Sequence, residues 1–289
     1  MSRILITGGA GFIGSHTANY LTKNGHEVFV YDFFHQYILP IRPNFLENMN
    51  YRFNHLLKDT TIVRGGTNNK DQLRRQIIDI NPNCIIHLAA LVSIPYSYRS
   101  PLSYIHTNIL GTTNLLEAGR KNKIKHFIHT STSEVYGSAK YVPMDENHPL
   151  NAQSPYAASK ISADQICLSF HKSFNMPITI IRPFNTFGPR QSLRAVIPTI
   201  LFQASIKNVI KIGNTSSKRD FTFVDDTAQG IYRVSTKEGI SGEIMGCSQN
   251  GETGPKFRPE IRIQRPKIGQ KHTEKIRNYW GRADTGPLR

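Results

Sequence analysis

Residues 3–16 read RILITGGAGFIGSH, a short apolar strand followed at once by glycines at 8, 11 and 14 and then by a helical stretch to about Asn24. Between a strand and a helix each glycine has a separate task. Gly8 permits a tight turn, Gly11 lets the backbone approach a pyrophosphate, and Gly14 lets the helix pack on the strand. The helix N-terminus then offers unpaired N–H groups to phosphate. A second apolar run, Val28 to Tyr31, ends in Asp32, about twenty residues beyond the loop, where the fold needs a carboxylate. A carboxylate there accepts hydrogen bonds from ribose hydroxyls and repels a 2′-phosphate, so the spacing points to NAD rather than NADP.

Working outward, further short apolar runs at Thr61–Arg64, Cys84–His87, Phe127–Ile128 and Ile178–Ile181 read as buried strands. The fold class is therefore α/β, a Rossmann-type doubly wound parallel sheet. Residues 33–60 form an aromatic-rich connection, longer than a usual link between strand and helix, that is expected to help cover the adenosine end. Ser100-Pro101 opens a helix over 101–121 with Ile105, Ile109, Thr112 and Leu116 on one stripe. Ser154-Pro155 opens another over 154–174 that is apolar on two sides, as if buried against the sheet and against a second subunit. Ala195–Ile206 reads as a helix of a smaller unit.

The chemistry concentrates in residues 129–160, HTSTSEVYGSAKYVPMDENHPLNAQSPYAASK. Thr130, Ser131, Thr132, Ser133 and Glu134 crowd hydroxyls and one carboxylate at the carboxyl end of a buried strand, where open α/β sheets place their reactive groups. Tyr156 and Lys160 stand four apart on one helix face. A nearby ammonium favours the phenolate, so Lys160 is expected to lower the Tyr156 pKa and make it a general base. A Tyr-x-x-x-Lys pair alone occurs on many solvated helices. The hydroxyl cluster and the glycine loop give this one its meaning.

The 289 residues carry a formal charge of +16, with ten Lys/Arg against four Asp/Glu in residues 245–289. No arginine-rich helix or interleaving of aromatic and basic residues accompanies the charge, so no nucleic-acid partner is expected. A cleft for anionic ligands explains the excess. Cys84, Cys167 and Cys247 show no C-x-x-C spacing and read as reduced structural thiols, with no metal site. No membrane-length apolar run is present, and residues 3–7 are already a strand. A cytoplasmic protein without signal peptide or membrane partner is expected.

TSTSEVYG (130–137), QSPYAASK (153–160), RPFNTFGPRQSLRAVIP (182–198) and RDFTFVDD (219–226) resemble the extended short-chain dehydrogenases of the NAD-dependent nucleotide-sugar epimerase/dehydratase family. Within it they look most similar to the 4,6-dehydratases of N-acetylglucosamine nucleotides in legionaminic acid pathways. The resemblance covers residues 3 to about 244. It implies an enzyme that uses NAD to oxidise C4 of a UDP- or GDP-linked hexose, eliminates water across C5 and C6, and returns the hydride to C6. By the same resemblance Thr132, Glu134, Tyr156 and Lys160 are catalytic. Gly8, Gly11, Phe12, Ile13, Gly14, Asp32, Leu88, Ala89, Ala90, Thr130, Tyr156, Lys160 and Pro183 bind the cofactor, and Ser133, Asn185, Arg194, Val196 and Arg219 meet the substrate. The helices over 101–121 and 154–174 pair in a homodimer.

The chain departs from the family at two sites. Gly66 stands where an Asp usually holds the adenine amine, a task Asn68 or Asn69 could take. Ser133 stands where the better-known glucose-nucleotide dehydratases have an Asp acid, which leaves Glu134 both roles. The Thr-Ser-Glu order also resembles UDP-glucuronate decarboxylase. A 4-epimerase is the third relative, though it needs no carboxylate at 134. The expected organisation is an NAD-binding domain over 1–182, a partial substrate domain over 183–244, and an atypical basic tail over 245–289. From Met245 no period persists, and the tail is expected to be disordered. The break is sharp enough to suggest a truncated or frame-shifted form that binds sugar nucleotide poorly, or an inactive nucleotide-binding remnant.

Overall fold

A computed structural model describes residues 1–34, 43–206, 209–213 and 219–247. Seven parallel strands form the main sheet in the order β3-β2-β1-β4-β5-β6-β9. The first half comprises β1 (Arg3–Thr7), α1 (Phe12–Lys23), β2 (Glu27–Asp32), α2 (Pro43–Tyr51), a π-helical turn (Arg52–Leu56), β3 (Thr61–Arg64) and α3 (Lys70–Ile80). After β4 (Cys84–His87) come α4 (Ile94–Arg99), α5 (Pro101–Tyr104), a π-helical stretch (Ile105–Leu110), α6 (Gly111–Lys121), β5 (His126–Thr130), α7 (Pro155–Phe174) and β6 (Ile178–Pro183).

Side chains that alternate along each strand divide the core into two faces. Ile4, Ile6, Val28, Val30, Ile86, Ile128 and Ile181 meet Leu21 of α1 on one side. Leu5, Phe29, Ile85, Phe127 and Ile180 meet Leu73 and Ile77 of α3, Leu115 and Leu116 of α6, and Cys167 of α7 on the other. Helix α7 starts where its sequence says. The Ser154 hydroxyl accepts from the Ala157 N–H at 3.1 Å, with Pro155 next in line.

Two expectations change. The stripe Ile105, Ile109, Thr112, Leu116 does not face one way, because the π-helical stretch winds more residues into its turns and rotates the helix beyond it. Ile105 is half exposed while Thr112 and Leu116 are buried. The expected division of the chain at 182 and 244 also differs from the packing. Residues 183–206 and 219–223 form β7 (Asn185–Phe187), α8 (Val196–Ile206) and β8 (Phe221–Phe223), with β7 and β8 paired in parallel as a small second sheet. Helix α9 (Val224–Thr236) returns to the main core beside α1, burying Ile231 and Val234. Strand β9 (Ile244–Cys247) then pairs with β6, Ile181 opposite a buried Met245. The order expected to break at Met245 thus runs through Cys247. Its apolar run was too short to show a period in the sequence. The expected disorder of the remaining tail, 248–289, lies outside the described residues.

Under the sheet's carboxyl edge sits a buried charge cluster. Arg182 gives Nε and Nη2 to Asp164 Oδ2 at 3.2 and 3.0 Å and Nη1 to the Tyr136 hydroxyl at 3.1 Å. His129 Nε2 lies 3.4 Å from Asp164 Oδ1. Burial raises the Asp164 carboxyl, but His129, Arg182 and Lys160 outweigh it and hold the group below its ordinary range. Asp164→Ala leaves Arg182 buried without its counter-ion and is expected to destabilise the fold by about 3–5 kcal/mol, read from urea unfolding. A loss within experimental error would show that water or another acceptor replaces the carboxylate.

Candidate active site

The connections that follow β1 and β4 pass to opposite faces of the sheet, and a cleft of about 1050 Å³ opens at the carboxyl ends of the strands. Gly8 makes the turn out of β1 with φ 72°, and a Cβ on it would lie 2.6 Å from the Ala89 nitrogen. A Cβ on Gly14 would run into the Gly8 carbonyl oxygen. The glycines are therefore required by the turn and by its close approach to the segment after β4.

Asp32 is tied to this loop. Its Oδ2 accepts the Ala10 N–H at 3.1 Å and its Oδ1 the Phe34 N–H at 2.8 Å. Burial raises its pKa, opposed by these N–H groups and by Arg52. At the neighbouring end the Tyr31 hydroxyl donates to the Gly66 carbonyl at 3.2 Å. Asn68 and Asn69 both line the cleft, but the Asn69 oxygen already accepts the Gln72 N–H as the cap of α3.

On the opposite wall, Tyr156 and Lys160 are buried and lie beside Thr130 and Thr132. Lys160 Nζ donates to the Thr130 carbonyl at 2.7 Å, and the Thr132 hydroxyl is near enough to Tyr156 to favour its phenolate. The expected lowering of the Tyr156 pKa is not found. Burial dominates and pushes it up to about 12, Thr132 opposing and Glu134 adding. The same desolvation lowers Lys160 to about 8. Both shifts disfavour charge, which is what removing water does when no counter-charge touches the group.

The cleft is lined by Gly8, Gly11, Phe12, Ile13, Gly14, Asp32, Leu88, Ala89, Ala90, Thr130, Thr132, Tyr156, Lys160, Pro183 and Arg194. Ser133 and Glu134 come next in a 3-10 turn behind Thr132, whose oxygen accepts the Glu134 N–H at 3.2 Å. Asn185, Val196 and Arg219 lie off the cleft lining. The Asn185 amide donates to the Asp220 carbonyl at 3.1 Å, fastening β7 to the segment before β8.

Several supporting residues carry no signal in the sequence. Asn108, inside the π-helical stretch, accepts the Leu91 N–H at 2.8 Å and donates to the Leu91 carbonyl at 3.0 Å and to Ser159 Oγ at 2.9 Å. Thr112 donates its hydroxyl proton to the Asn108 carbonyl at 2.6 Å, so its oxygen accepts from His87 Nε2 at 2.9 Å. His87 Nδ1 is then left to accept from Thr7 at 2.7 Å. The imidazole is held neutral, its pKa driven well down by burial. Among the described residues the Thr130 and Ser131 hydroxyl oxygens are buried without a partner. Together with the Gly8–Gly14 cradle they suit a polar ligand lying along the strand ends. No group of three or more His, Cys, Asp or Glu side chains suited to a metal occurs among the described residues, and no described helix is long and apolar enough to cross a membrane.

Comparison with known proteins agrees with the fold. The family model described as GDP-mannose 4,6 dehydratase matches residues 5–253, beyond the residue 244 at which the resemblance was expected to stop. A dTDP-D-glucose 4,6-dehydratase of Dictyostelium discoideum is 31% identical over 87% of this chain, which spans 59% of that protein's length. The solved UDP-glucuronic acid 4-epimerase of Bacillus cereus, in complex with UDP-glucuronic acid and NAD, aligns with TM-score 0.76 and 32% identity over 86% of this chain and 78% of its own. A dTDP-glucose 4,6-dehydratase of Streptomyces venezuelae with NAD bound aligns with TM-score 0.75 and 28% identity over 85% of this chain and 76% of its own.

The Lys160 shift has a consequence for stability. Between pH 8 and 10 the native ammonium gives up its proton while the unfolded one, near its ordinary 10.5, keeps it. The unfolded state then binds more protons, so this group's contribution to stability rises with pH. Denaturant midpoints are expected to rise across that window in the wild type relative to Lys160→Met. Parallel pH profiles of the two proteins would contradict the burial of a titrating amine.

Proposed function

Because the chain belongs to the NAD-dependent epimerase/dehydratase family of short-chain dehydrogenases, we propose that it is an NAD-dependent nucleotide-sugar 4,6-dehydratase, acting in the cytoplasm on a UDP- or GDP-linked hexose such as N-acetylglucosamine. The observation that carries the dehydratase reading is the carboxylate of Glu134, close enough to Tyr156 for its charge to raise the phenol's pKa. A second acid–base group beside the first is what an elimination needs and a simple epimerisation does not.

The residues present fit the dinucleotide. The Gly8–Gly14 loop and the start of α1 would take the pyrophosphate, Asp32 the adenosine ribose, and Lys160 with the buried Thr130 hydroxyl the nicotinamide end. When bound, NAD supplies a reversible two-electron acceptor for a sugar carbinol. The chain's own residues handle the protons. Tyr156 accepts the proton of the C4 hydroxyl, with Thr132 hydrogen-bonded to the same oxygen. Because burial keeps the phenol protonated in the free protein, Tyr156 must first lose its own proton, and the phenolate that accepts the C4 proton forms only in the ligand-bound site. Glu134 removes the C5 proton acidified by the neighbouring ketone, and with Ser133 in place of an Asp it also protonates the leaving C6 hydroxyl. Arg194, which lines the cleft, is assigned to the substrate's diphosphate by its forked donors, and Asn185, Val196 and Arg219, off the lining in the unliganded fold, are assigned to the substrate side by their motifs alone.

The same Ser133-Glu134 pair favours a second reading, decarboxylation of a nucleotide-linked uronic acid. Products from a panel of UDP-, GDP- and dTDP-linked hexoses and UDP-glucuronic acid, identified by mass spectrometry, separate the readings through loss of water or of carbon dioxide. No turnover on any of them would overturn the enzymatic proposal.

A homodimer through α5–α6 and α7 accompanies this reading, supported by Leu102 at 66% and Phe174 at 50% exposure on those helices. Sedimentation at micromolar concentration should give twice the monomer mass.

Tyr156→Phe is expected to keep NAD affinity while turnover falls at least about a hundredfold, since only the proton acceptor is lost. Glu134→Gln should bind the sugar nucleotide normally yet fail to place solvent deuterium at C5. Deuterium incorporation at the wild-type rate would remove Glu134 from the elimination step.

A further inference from the structure

The segment before β3 delivers one buried guanidinium to two separate loops beside the cleft at once. Arg52, 9% exposed at the start of the π-helical turn, donates Nη1 to the Ala10 carbonyl at 3.1 Å and Nη2 to the Arg190 carbonyl at 3.1 Å. Ala10 belongs to the glycine loop, and its N–H is already taken by Asp32 Oδ2 at 3.1 Å. That residue is therefore gripped through both its N–H and its carbonyl. Arg190 immediately precedes Gln191, which lines the cleft together with Arg194.

Arg190 also shows why a grip is needed. Its φ is 65°, in the left-handed region that residues with a Cβ disfavour. Three contacts from the α2 region hold it there. Glu47 takes its Nη1 at 3.0 Å, the Tyr51 ring lies 4.3 Å from its guanidinium carbon, and Arg52 takes its carbonyl.

We propose that Arg52 is a positioning residue that couples the dinucleotide site to the substrate-side loop, so that ordering of the glycine loop is transmitted to residues 188–194. The proposal rests on the functional reading above for the identity of the two ligands. The geometry requires a fork: two carbonyls on separate segments are met by two nitrogens fixed in one plane, which a lysine's single nitrogen cannot reproduce. If the fork transmits order, dinucleotide and nucleotide sugar must tighten each other by the same factor.

The test compares wild type with Arg52→Lys, which keeps charge and stem but not the fork. NAD is titrated with and without UDP or GDP as a nucleoside diphosphate probe, and hydrogen exchange is measured in peptides spanning 8–14 and 188–194. In the wild type, NAD should protect both peptides and tighten the diphosphate several-fold. In Arg52→Lys, NAD should still protect 8–14 but not 188–194, and the mutual tightening should vanish. NAD itself should bind about tenfold more weakly, as expected for loss of one charge-assisted hydrogen bond. KM for the sugar nucleotide should rise while kcat changes little. Retention of the mutual tightening and of protection at 188–194, with only the melting temperature lowered, would reduce Arg52 to a packing role and overturn the proposal. Should the wild type bind no NAD, the functional reading fails, and the unliganded proteins still decide the brace. Arg52→Lys must then speed exchange at 188–194 but not in β4 and β5, and equal exchange refutes it.

Discussion

No side chain fits between Gly8 and the backbone of Ala89, and the candidate site depends on that contact. It brings the exit of β1 against the exit of β4. One chain then turns into α1 on one face of the sheet, while the other passes towards α4 and the helices of the opposite face. A crevice must open where neighbouring strands send their connections to opposite sides. Ala10, Asp32, Thr130 and Tyr156 are placed by it: the first two through the loop that Gly8 begins, the last two through the strands and helix packed beside β4.

Within the crevice, burial decides the electrostatics. An exposed tyrosine and lysine one turn apart would favour phenolate and ammonium, yet here both groups are pushed towards their neutral forms. Asp164, one turn further along α7, draws the Lys160 pKa upward, but Arg182 occupies one of its oxygens and His129 adjoins the other. The phenol is thus protonated and neutral beside Thr132, and the unliganded site does not favour a standing charge separation between Tyr156 and Lys160. The charge of Glu134 acts in the same direction, making the Tyr156 phenolate harder to form.

The sheet, its cofactor loop and the Thr132, Tyr156 and Lys160 constellation were legible because short-range rules set them: strand-length apolar runs, glycines at fixed offsets, a Ser-Pro helix start. Strand β9 was not legible, since Ile244–Cys247 is too short to show a period and gains its place only by pairing with β6. The Tyr156 pKa was misjudged for a related reason. Sequence spacing reports which groups are near, but the sign of the shift depends on how much water the tertiary fold removes. Asn185 also has a structural task that its motif does not announce: one amide hydrogen goes to the Asp220 carbonyl.

Two π-helical turns carry the remaining hidden information. An extra residue in a turn re-aims the side chains beyond it. At 52–56 such a turn begins with Arg52 and at 105–110 another contains Asn108, both buried and both bonded to backbone groups of the cleft wall. Neither position stands out in an amphipathic pattern, because a polar residue at a buried phase reads as an interruption. In each case the interruption has a use. The main-chain groups of Leu91, Ala10 and Arg190 lie in loops that no strand ladder satisfies, and an amide or guanidinium with several directed donors and acceptors can hold them in place of a ladder. Irregular helices at the edge of a regular sheet are thus how this chain gives its loops the rigidity of its strands.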